Sequence, residues 1–198
     1  MANVTANVSA GKPKIGGAIF RAPVGTALPT DAATELNAAF QSMGFISEDG
    51  LTNANSIESE SVKAWGGDVV LTMQTDRPDS FSFTSLESLN PEVLKAFYGD
   101  SNVTGTLSAG IAVSVNANDL GAYSWVVDML LRDGAIKRIV IPNGRVSETG
   151  DVVYKDDTPI GYALTITAMP DSSGNSHYEY IQRRTTSQNT ETETEGNG

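Results

Sequence analysis

The single histidine, His177, is the first residue to weigh for chemistry, because the chain contains no cysteine. A catalytic triad or a zinc site needs several partners at fixed positions, and one histidine without thiolates supplies few of them. His177 follows a loop and begins a predicted strand. We therefore interpret it as a surface or interface histidine.

Two adjacent carboxylate pairs could in principle bind calcium or act as acid and base: Glu48-Asp49 and Asp156-Asp157. Each pair lies where a turn is expected, and turns favour aspartate for local hydrogen bonding. The sequence has no EF-hand loop, and the glycine pairs Gly16-Gly17 and Gly66-Gly67 lack the Lys-Ser/Thr ending of a phosphate-binding loop. Catalysis and metal binding are both disfavoured, and no cofactor is predicted.

Asp128 is the most informative carboxylate, because it lies on a strand that is otherwise rich in apolar residues. It could be a satisfied core carboxylate near Arg132 or Lys137, a catalytic acid, or a residue that faces water on the inner surface of an assembly. The sequence leaves these three alternatives open.

The composition excludes several classes of function. The net charge of -11 leaves too few cations to bind nucleic acid through its phosphates, although an acidic protein can still enclose or repel it. No apolar run is long enough to span a bilayer, and the N-terminus lacks the apolar region of a signal peptide. The absence of cysteine fits a reducing compartment.

The central stretch, residues 63–99, predicts a β-hairpin that leads into a short helix. Residues 67–75 and 80–86 alternate like strands, with Arg77-Pro78-Asp79 between them. Asn90 suits the N-cap of a helix, Pro91 its first position and Gly99 its end. A second helix is predicted over residues 32–43, because apolar residues recur there at helical spacing before Gly44.

The rest of the chain predicts short strands at hairpin spacing. Residues 57–64 alternate but have no apolar face, which is typical of an exposed ribbon or of a strand that pairs with another chain. Asp133-Gly134 indicates a tight hairpin, and Pro142-Asn143-Gly144 a further turn. Residues 47–63 include a long irregular acidic loop. Other strands are predicted over residues 15–22, 111–115, 123–132, 135–141, 145–153, 162–168 and 176–183.

Together these elements predict one mostly β (α+β) domain over residues 15–183: a β-sandwich or partial barrel of about eight to ten strands with one or two short flanking helices. Residues 1–14 are predicted to be a flexible arm. Residues 184–198 are rich in threonine and glutamate and are predicted to be a disordered acidic tail.

Several segments together resemble the major tail (tail tube) proteins of long-tailed, siphovirus-type phages of Gram-positive bacteria. They are AIFRAPVGTALPT (18–30), GFISEDG (44–50), VKAWGGD (62–68), NPEVLKAFYGDSNVTG (90–105), SWVVDMLLRDGAIKRIVIP (124–142) and VYKDDTPIGY (153–162). The resemblance covers residues 16–180 and rests on the order and spacing of structural motifs.

This resemblance implies a β-sandwich-like subunit without enzymatic activity. Subunits would form hexameric rings that stack into a tube, through which DNA passes without specific binding. Its partners would be the tail tip, tape measure and tail terminator proteins, and it would be assembled in the host cytoplasm and end in the virion.

Two sets of residues are then candidates for a role in the tube. The acidic candidates for the lumen are Glu58, Glu60, Asp68 and Asp128, and the candidates for contact between rings are Glu48, Asp49, Asn53, Asn55 and Lys63, with residues 2–14 as a second contact. The alternative function is an Ig-like or carbohydrate-binding β-sandwich module, which exposed aromatic residues at one loop end would favour. A hydrolase ranks third, because no nucleophile–histidine pattern is present.

Overall fold

A large antiparallel sheet organises the fold. The structure is a computed structural model, and it describes residues 3–14 and 16–183. The strands are β1 (Lys12–Pro13), β2 (Ile19–Pro23), β3 (Gln41–Ser42), β4 (Ile46–Asn55), β5 (Glu58–Lys63), β6 (Val69–Asp76), β7 (Asp79–Ser85), β8 (Val103–Thr106), β9 (Gly110–Val113), β10 (Ala122–Leu130), β11 (Ala135–Thr149), β12 (Tyr162–Ala168) and β13 (Tyr178–Arg183). The large sheet has the order β3-β2-β10-β11-β12-β7-β4, with β1 added on β10 and β13 on β11. The fold is mostly β, as the sequence predicts.

The two outermost strands of this order, β3 and β4, follow one another directly in the chain. Only residues 43–45 separate them, and Met43 is fully buried there. The amide of Met43 donates to the carbonyl of Ile19, and the amide of Leu86 donates to the carbonyl of Phe45. A single short segment thus connects both edges of the sheet, so the sheet curls around its core.

The main core lies inside this curled sheet. On β7 and β12 every second residue is buried, which is the alternation expected of strands with one face on a core. Phe83 packs edge-to-face against the fully buried Trp125. A smaller cluster of Ala22, Phe40, Val126 and Val140 lies apart from the main core, so β10 and β11 contribute buried residues to both.

The predicted helix over residues 91–98 is confirmed as α1 (Pro91–Tyr98). The side chain of Asn90 accepts a hydrogen bond from the amide of Glu92, and Pro91 occupies the first turn. Val93, Leu94 and Phe97 are buried, and the chain leaves the helix at Gly99 with a φ of 102°. The helix therefore packs its apolar side against the core.

The second predicted helix, over residues 32–43, is wrong. This segment consists of bends and a turn before β3. In a helix the carbonyls of Asp31 and Thr34 would accept from amides one turn later. Here both accept from Nη1 of the buried Arg138, at 3.2 and 2.7 Å. A long-range polar contact therefore replaces the helical hydrogen bonds that the apolar spacing predicts.

The predicted turn at Pro142-Asn143-Gly144 is also wrong, because these residues lie inside the continuous strand β11. The register between β10 and β11 shifts between Tyr123 and Trp125, which leaves an extra residue on β11. Proline is tolerated at such a bulge because one ladder hydrogen bond is missing there. The hydroxyl of Ser124 donates to the carbonyl of Pro142 at 2.7 Å.

The central hairpin is paired differently from the prediction. Residues 67–86 do not form a hairpin with one another: β6 pairs with β5, and β7 pairs with β4 and β12. Residues 47–63, predicted to include an irregular loop, form most of β4 and all of β5. The predicted turn at Trp65-Gly66-Gly67 is the tip of the β5–β6 hairpin, and the predicted exposed ribbon over residues 57–64 is confirmed as β5.

Smaller differences concern the ends of the elements and of the chain. Lys12 and Pro13 pair with Leu130 and Met129, so the end of the predicted N-terminal arm lies along β10. The predicted strand over residues 145–153 is the second half of β11. Ile15, at the start of one predicted strand, lies outside the described residues, as does the predicted acidic tail of residues 184–198.

Candidate functional site

The most unusual surface feature is the hairpin of β5 and β6, which we call the arm (residues 58–76). Every residue of both strands is exposed. At the tip the amide of Ala64 donates to the carbonyl of Asp68, and Gly66 and Gly67 have φ values of 119° and 100°. Only glycine readily adopts such values, so the sequence permits this tight turn. Trp65, beside these glycines, is fully exposed.

The two faces of the arm differ in chemistry. On one face the paired residues Val62 and Leu71 lie next to Met73, whose cross-strand partner is Glu60. This face therefore carries three apolar side chains that are about half exposed, beside one carboxylate. On the opposite face Ser61 and Thr72 share a hydrogen bond of 3.1 Å between their hydroxyl groups. A two-stranded ribbon is only marginally stable alone, and a ribbon with an exposed apolar face is typical of a segment that meets another surface.

The root of the arm is held by polar contacts, most of them to Asp79 at the start of β7. The buried carboxylate of Asp79 accepts from Nδ2 of Asn53 at 2.8 Å and contacts Nδ1 of His177. Asn55 accepts from Nε of Arg77 at 2.6 Å. His177 also packs edge-on to Phe81. The only histidine is thus half-buried and engaged in a structural contact.

Asp128 is buried in an ion pair, with 4% of its surface exposed. Nε and Nη2 of Arg138 donate to its two oxygens at 2.6 and 2.8 Å, and Nζ of Lys14 lies 3.4 Å from Oδ2. This fork geometry is the strong form of a charge-assisted hydrogen bond. Of the three alternatives for Asp128, the satisfied core carboxylate is confirmed, with Arg138 as its partner and not Arg132 or Lys137.

The lumen candidate Asp128 is therefore corrected, because a buried and neutralised carboxylate does not face water in the subunit. The predicted turn indicates only the neighbourhood of the true partner. A two-residue turn at Asp133-Gly134 would place Asp128 opposite Ile139, whereas the observed longer loop places it opposite Arg138.

A second buried cation, Arg21, was missed by the sequence reasoning. Its Nη2 donates to Asp100 at 2.7 Å and lies 3.4 Å from Glu92, while its guanidinium stacks 4.5 Å from the ring centre of Tyr123. Burial, and then the hydrogen bond to Asp100, raise the pKa of Tyr123 to about 12. The sequence signal for Arg21 was a single arginine within an apolar strand. Asp128 was noticed for the same reason, as a single charged residue in an apolar strand.

The described residues contain no group of three or more histidines and carboxylates that could hold a metal ion. The carboxyl of Asp31 has a pKa below its usual value, because the hydroxyl and amide of Thr34 donate to it. This is a local turn and not a catalytic arrangement. No helix in the described part of the chain is long and apolar enough to cross a membrane.

The profile of one protein family, described as phage tail tube protein, matches residues 3–193. The chain belongs to the phage tail tube protein family. The match is wider than the resemblance over residues 16–180, since it includes most of the N-terminal arm and part of the acidic tail. No curated protein matches the chain.

A phage tail tube protein is a structural subunit that assembles with copies of itself and with other tail components, and it belongs to the virion. Members of such a structural family are typically not enzymes. The large β sheet and the exposed arm of this tail tube protein are consistent with a subunit that completes its surface only on assembly.

Most of the other predicted site residues of the tail tube protein lie on the arm or at its root. Glu58 and Glu60 are exposed on β5, Asp68 lies at the tip, and Lys63 ends β5. Asn53 and Asn55 bind Asp79 and Arg77 at the root, whereas Glu48 and Asp49 are exposed in the first half of β4. The contacts of Asn53 and Asn55 are within the subunit. Sequence reasoning did not find the fully exposed Trp65, because it placed this residue only in a turn.

Proposed function

We propose that this chain forms hexameric rings, and that the rings stack into a tube through which phage DNA passes. The observation that carries this proposal is the arm. It leaves the large sheet as a ribbon with exposed apolar residues, which a solitary domain would have little reason to present. A contact between the arm of one copy and the body of another is heterologous, and such contacts close into rings or continue as helical filaments.

The arm and the residues at its root are the proposed contact between neighbouring rings. Lys63 lies close to the tip, and Glu48 and Asp49 are exposed on the strand that leads to the arm. Asn53 and Asn55 hold the root and would direct the arm toward its partner. The N-terminal arm, exposed from Asn3 to Pro13, is a second proposed contact.

The exposed carboxylates Glu58, Glu60 and Asp68 remain the candidates for the wall of the conduit. An acidic wall repels the phosphates of DNA, and this repulsion decays over a Debye length of roughly 8 Å at physiological salt. This repulsion would keep DNA from adhering to the wall of the tube, and its short range would leave little resistance to the passage of DNA. The net charge of -11 supports this use.

We further propose that the tube belongs to a long-tailed, siphovirus-type phage of Gram-positive bacteria and that it assembles in the host cytoplasm. Tail tip, tape measure and terminator proteins would be its partners. These details follow from the resemblance of the quoted segments.

Negative-stain electron microscopy of the purified chain at micromolar concentration, with sedimentation alongside, tests this function. We expect rings or tubes with a central channel and sixfold symmetry. Tail-tip components should be added if the chain alone stays monomeric, so that an initiator of assembly is present. Monomers that persist with these components would contradict the proposal, and rings with a different symmetry would contradict the hexamer.

A further inference from the structure

A shallow apolar groove lies beside α1. Its volume is about 480 Å³, and it is lined by α1, the β8–β9 hairpin and the segment before β12. The side chains that form its walls include Leu89, Leu107, Val115 and Tyr154, all of which are more than half exposed. Apolar side chains so strongly exposed and so close together mark a surface that another chain covers.

The floor of the groove is aromatic. Tyr98 and Tyr162 meet edge-to-face with ring centres 6.1 Å apart, and Phe97 packs against both. Burial, together with Tyr154, raises the pKa of Tyr98. A flat aromatic ring placed here would find the edge-to-face geometry that aromatic pairs prefer.

The other half of a possible contact is at the tip of the arm. Trp65 is fully exposed, whereas the second tryptophan, Trp125, is fully buried in the core. Tryptophan is enriched among the few residues that dominate the energy of protein interfaces. The adjacent Gly66 and Gly67 add no side chains, so the indole can enter a groove without obstruction.

We propose that Trp65 of one copy inserts into the groove beside α1 of a second copy of this chain. This inference rests on the proposed self-assembly and names the pair of surfaces that would join. The arm extends roughly 25 Å from Glu58 to its tip, at about 3.3 Å per residue, which is more than the radius of gyration expected for a domain of this size. An arm of this length, exposed along both of its strands, can reach a neighbouring copy.

Charge also favours a second copy as the occupant. Two copies that each carry a net charge of -11 repel one another unless their contact avoids acidic residues. The residues that line the groove include no charged side chain, and neither do Trp65, Gly66 and Gly67 at the tip of the arm. Residues 184–198 contain no apolar side chain, so they are chemically unsuited to this groove.

Because the natural chain lacks cysteine, single cysteines give a specific test. The variants Trp65→Cys and Val115→Cys are purified separately, mixed, assembled and treated with a short bismaleimide. We expect cross-linked dimers that contain one chain of each variant. Each variant alone should give none, and a mixture of Trp65→Cys with Ile181→Cys, an equally exposed position on β13, should give far fewer.

The outcomes separate this inference from the proposed function. Tubes without a cross-link between residues 65 and 115 overturn the inference and leave the proposed function intact. A cross-link between residue 115 and a cysteine at Val8 would instead assign the groove to the N-terminal arm and would also overturn it. Failure of the wild-type chain to form rings or tubes under any condition contradicts the proposed function itself.

If the cysteine variants fail to assemble, tryptophan fluorescence of the wild-type chain tests whether Trp65 becomes buried on assembly. Trp125 is already buried, so assembly should shift only the emission of Trp65, from that of an exposed indole to that of a buried one. An emission that stays at the exposed position in assembled tubes overturns the inference. Trp65→Ala should raise the protein concentration needed for assembly by roughly tenfold or more, as loss of an interface hot spot does.

Discussion

Two buried arginines join parts of the chain that are distant in sequence. Arg138 satisfies the carboxylate of Asp128 and the carbonyls of Asp31 and Thr34. Arg21 joins β2 to Asp100 and to Glu92 in the first turn of α1. At the residue scale, buried charge thus joins distant segments of this protein.

Arg138→Ala should reduce the free energy of unfolding by about 3–5 kcal/mol, because it leaves a buried carboxylate without its partner. The double variant Arg138→Met/Asp128→Leu should recover much of this loss, since it removes both charges. Urea unfolding followed by circular dichroism measures the difference. Lys14→Ala, which removes an exposed and longer contact to Asp128, is the matched control and should cost less than about 1 kcal/mol. Equal losses for the control and for Arg138→Ala would contradict this account.

Tyr123 should make the stability of the protein depend on pH at alkaline values. Its pKa in the folded protein is about 12, above the ordinary value of about 10 in the unfolded chain. The neutral phenol therefore contributes stability that is complete below pH about 10 and is lost as the pH rises toward about 12.

Tyr123→Phe keeps the ring over Arg21 and removes this titration. We expect its free energy of unfolding to fall less steeply than that of the wild type between pH about 10 and 12. Gly11→Ala, which changes no ionisable group, should retain the wild-type slope. Parallel curves for wild type and Tyr123→Phe would show that Tyr123 does not control this part of the pH dependence.

At the scale of elements, the continuous strand β11 depends on one close approach. A Cβ atom at Gly144 would lie 2.8 Å from Ile166 and from Trp125, and Nε1 of Trp125 donates to the carbonyl of Gly144 at 3.2 Å. Gly144→Ala should therefore cost about 1–3 kcal/mol of stability through overpacking. Gly11→Ala, whose Cβ would meet only the flexible end of Met129, is the control for thermal unfolding and should stay near the wild type. A Gly144→Ala variant as stable as this control would contradict the packing argument.

Substitution of the N-cap of α1 should reduce the free energy of unfolding by a smaller amount. Asn90→Ala should cost about 1 kcal/mol, because the amide of Glu92 loses its cap. Asn90→Ser keeps an acceptor at the cap and should lose less. Urea unfolding of the three proteins tests this order, and an Asn90→Ser variant that is less stable than Asn90→Ala would contradict it.

Elements set by local signals could be predicted from the sequence. The alternation of β7 and β12, the cap of α1 and the turn at Asp133-Gly134 depend on neighbouring residues, and each is confirmed. The segment 32–43 could not be predicted in this way, because its conformation depends on Arg138, which is distant in sequence. The bulge that accommodates Pro142 likewise requires knowledge of the partner strand.

The residues of the candidate site likewise divide into those set by local signals and those set by long-range contacts. The exposed ribbon of β5 was predicted from its two polar faces, whereas the pairing of Asp128 with Arg138 depends on a loop that is longer than the predicted two-residue turn. The exposure of Trp65 was not predictable, because it depends on how far the hairpin extends beyond the sheet. The alternation of β6 alone suggested a strand with a buried face.

At the scale of the whole molecule, the acidic side chains of the arm affect both the assembly of copies and the passage of DNA. The exposed acidic residues of the arm could either line a conduit or lie between copies, and a charge reversal separates these roles. We expect the triple variant Glu58→Lys/Glu60→Lys/Asp68→Lys to form tubes of normal length that hinder the passage of DNA, because the cations bind phosphate. The measurement compares tube length by electron microscopy with the yield of DNA delivery. The matched control reverses Glu35 and Asp151, which are exposed and belong neither to the arm nor to the lining of the groove beside α1, and should deliver DNA normally. Loss of the tubes themselves would show that the arm carboxylates lie at an interface between copies.

Backbone pairing is interrupted at the root of the arm, between the large sheet and the β5–β6 hairpin. The ladder between β4 and β7 ends at Asn55 and Asp79, and the ladder between β5 and β6 begins at Glu58 and Asp76. Residues 56–57 and 77–78 between them form no ladder pairs, and Pro78 has no amide hydrogen to donate. Side-chain contacts, such as that between Asn55 and Arg77, bridge this gap in place of backbone pairs. In a stack of copies linked by their arms, as proposed above, we expect bending to be concentrated at these gaps, so that the tube curves while each sheet keeps its shape.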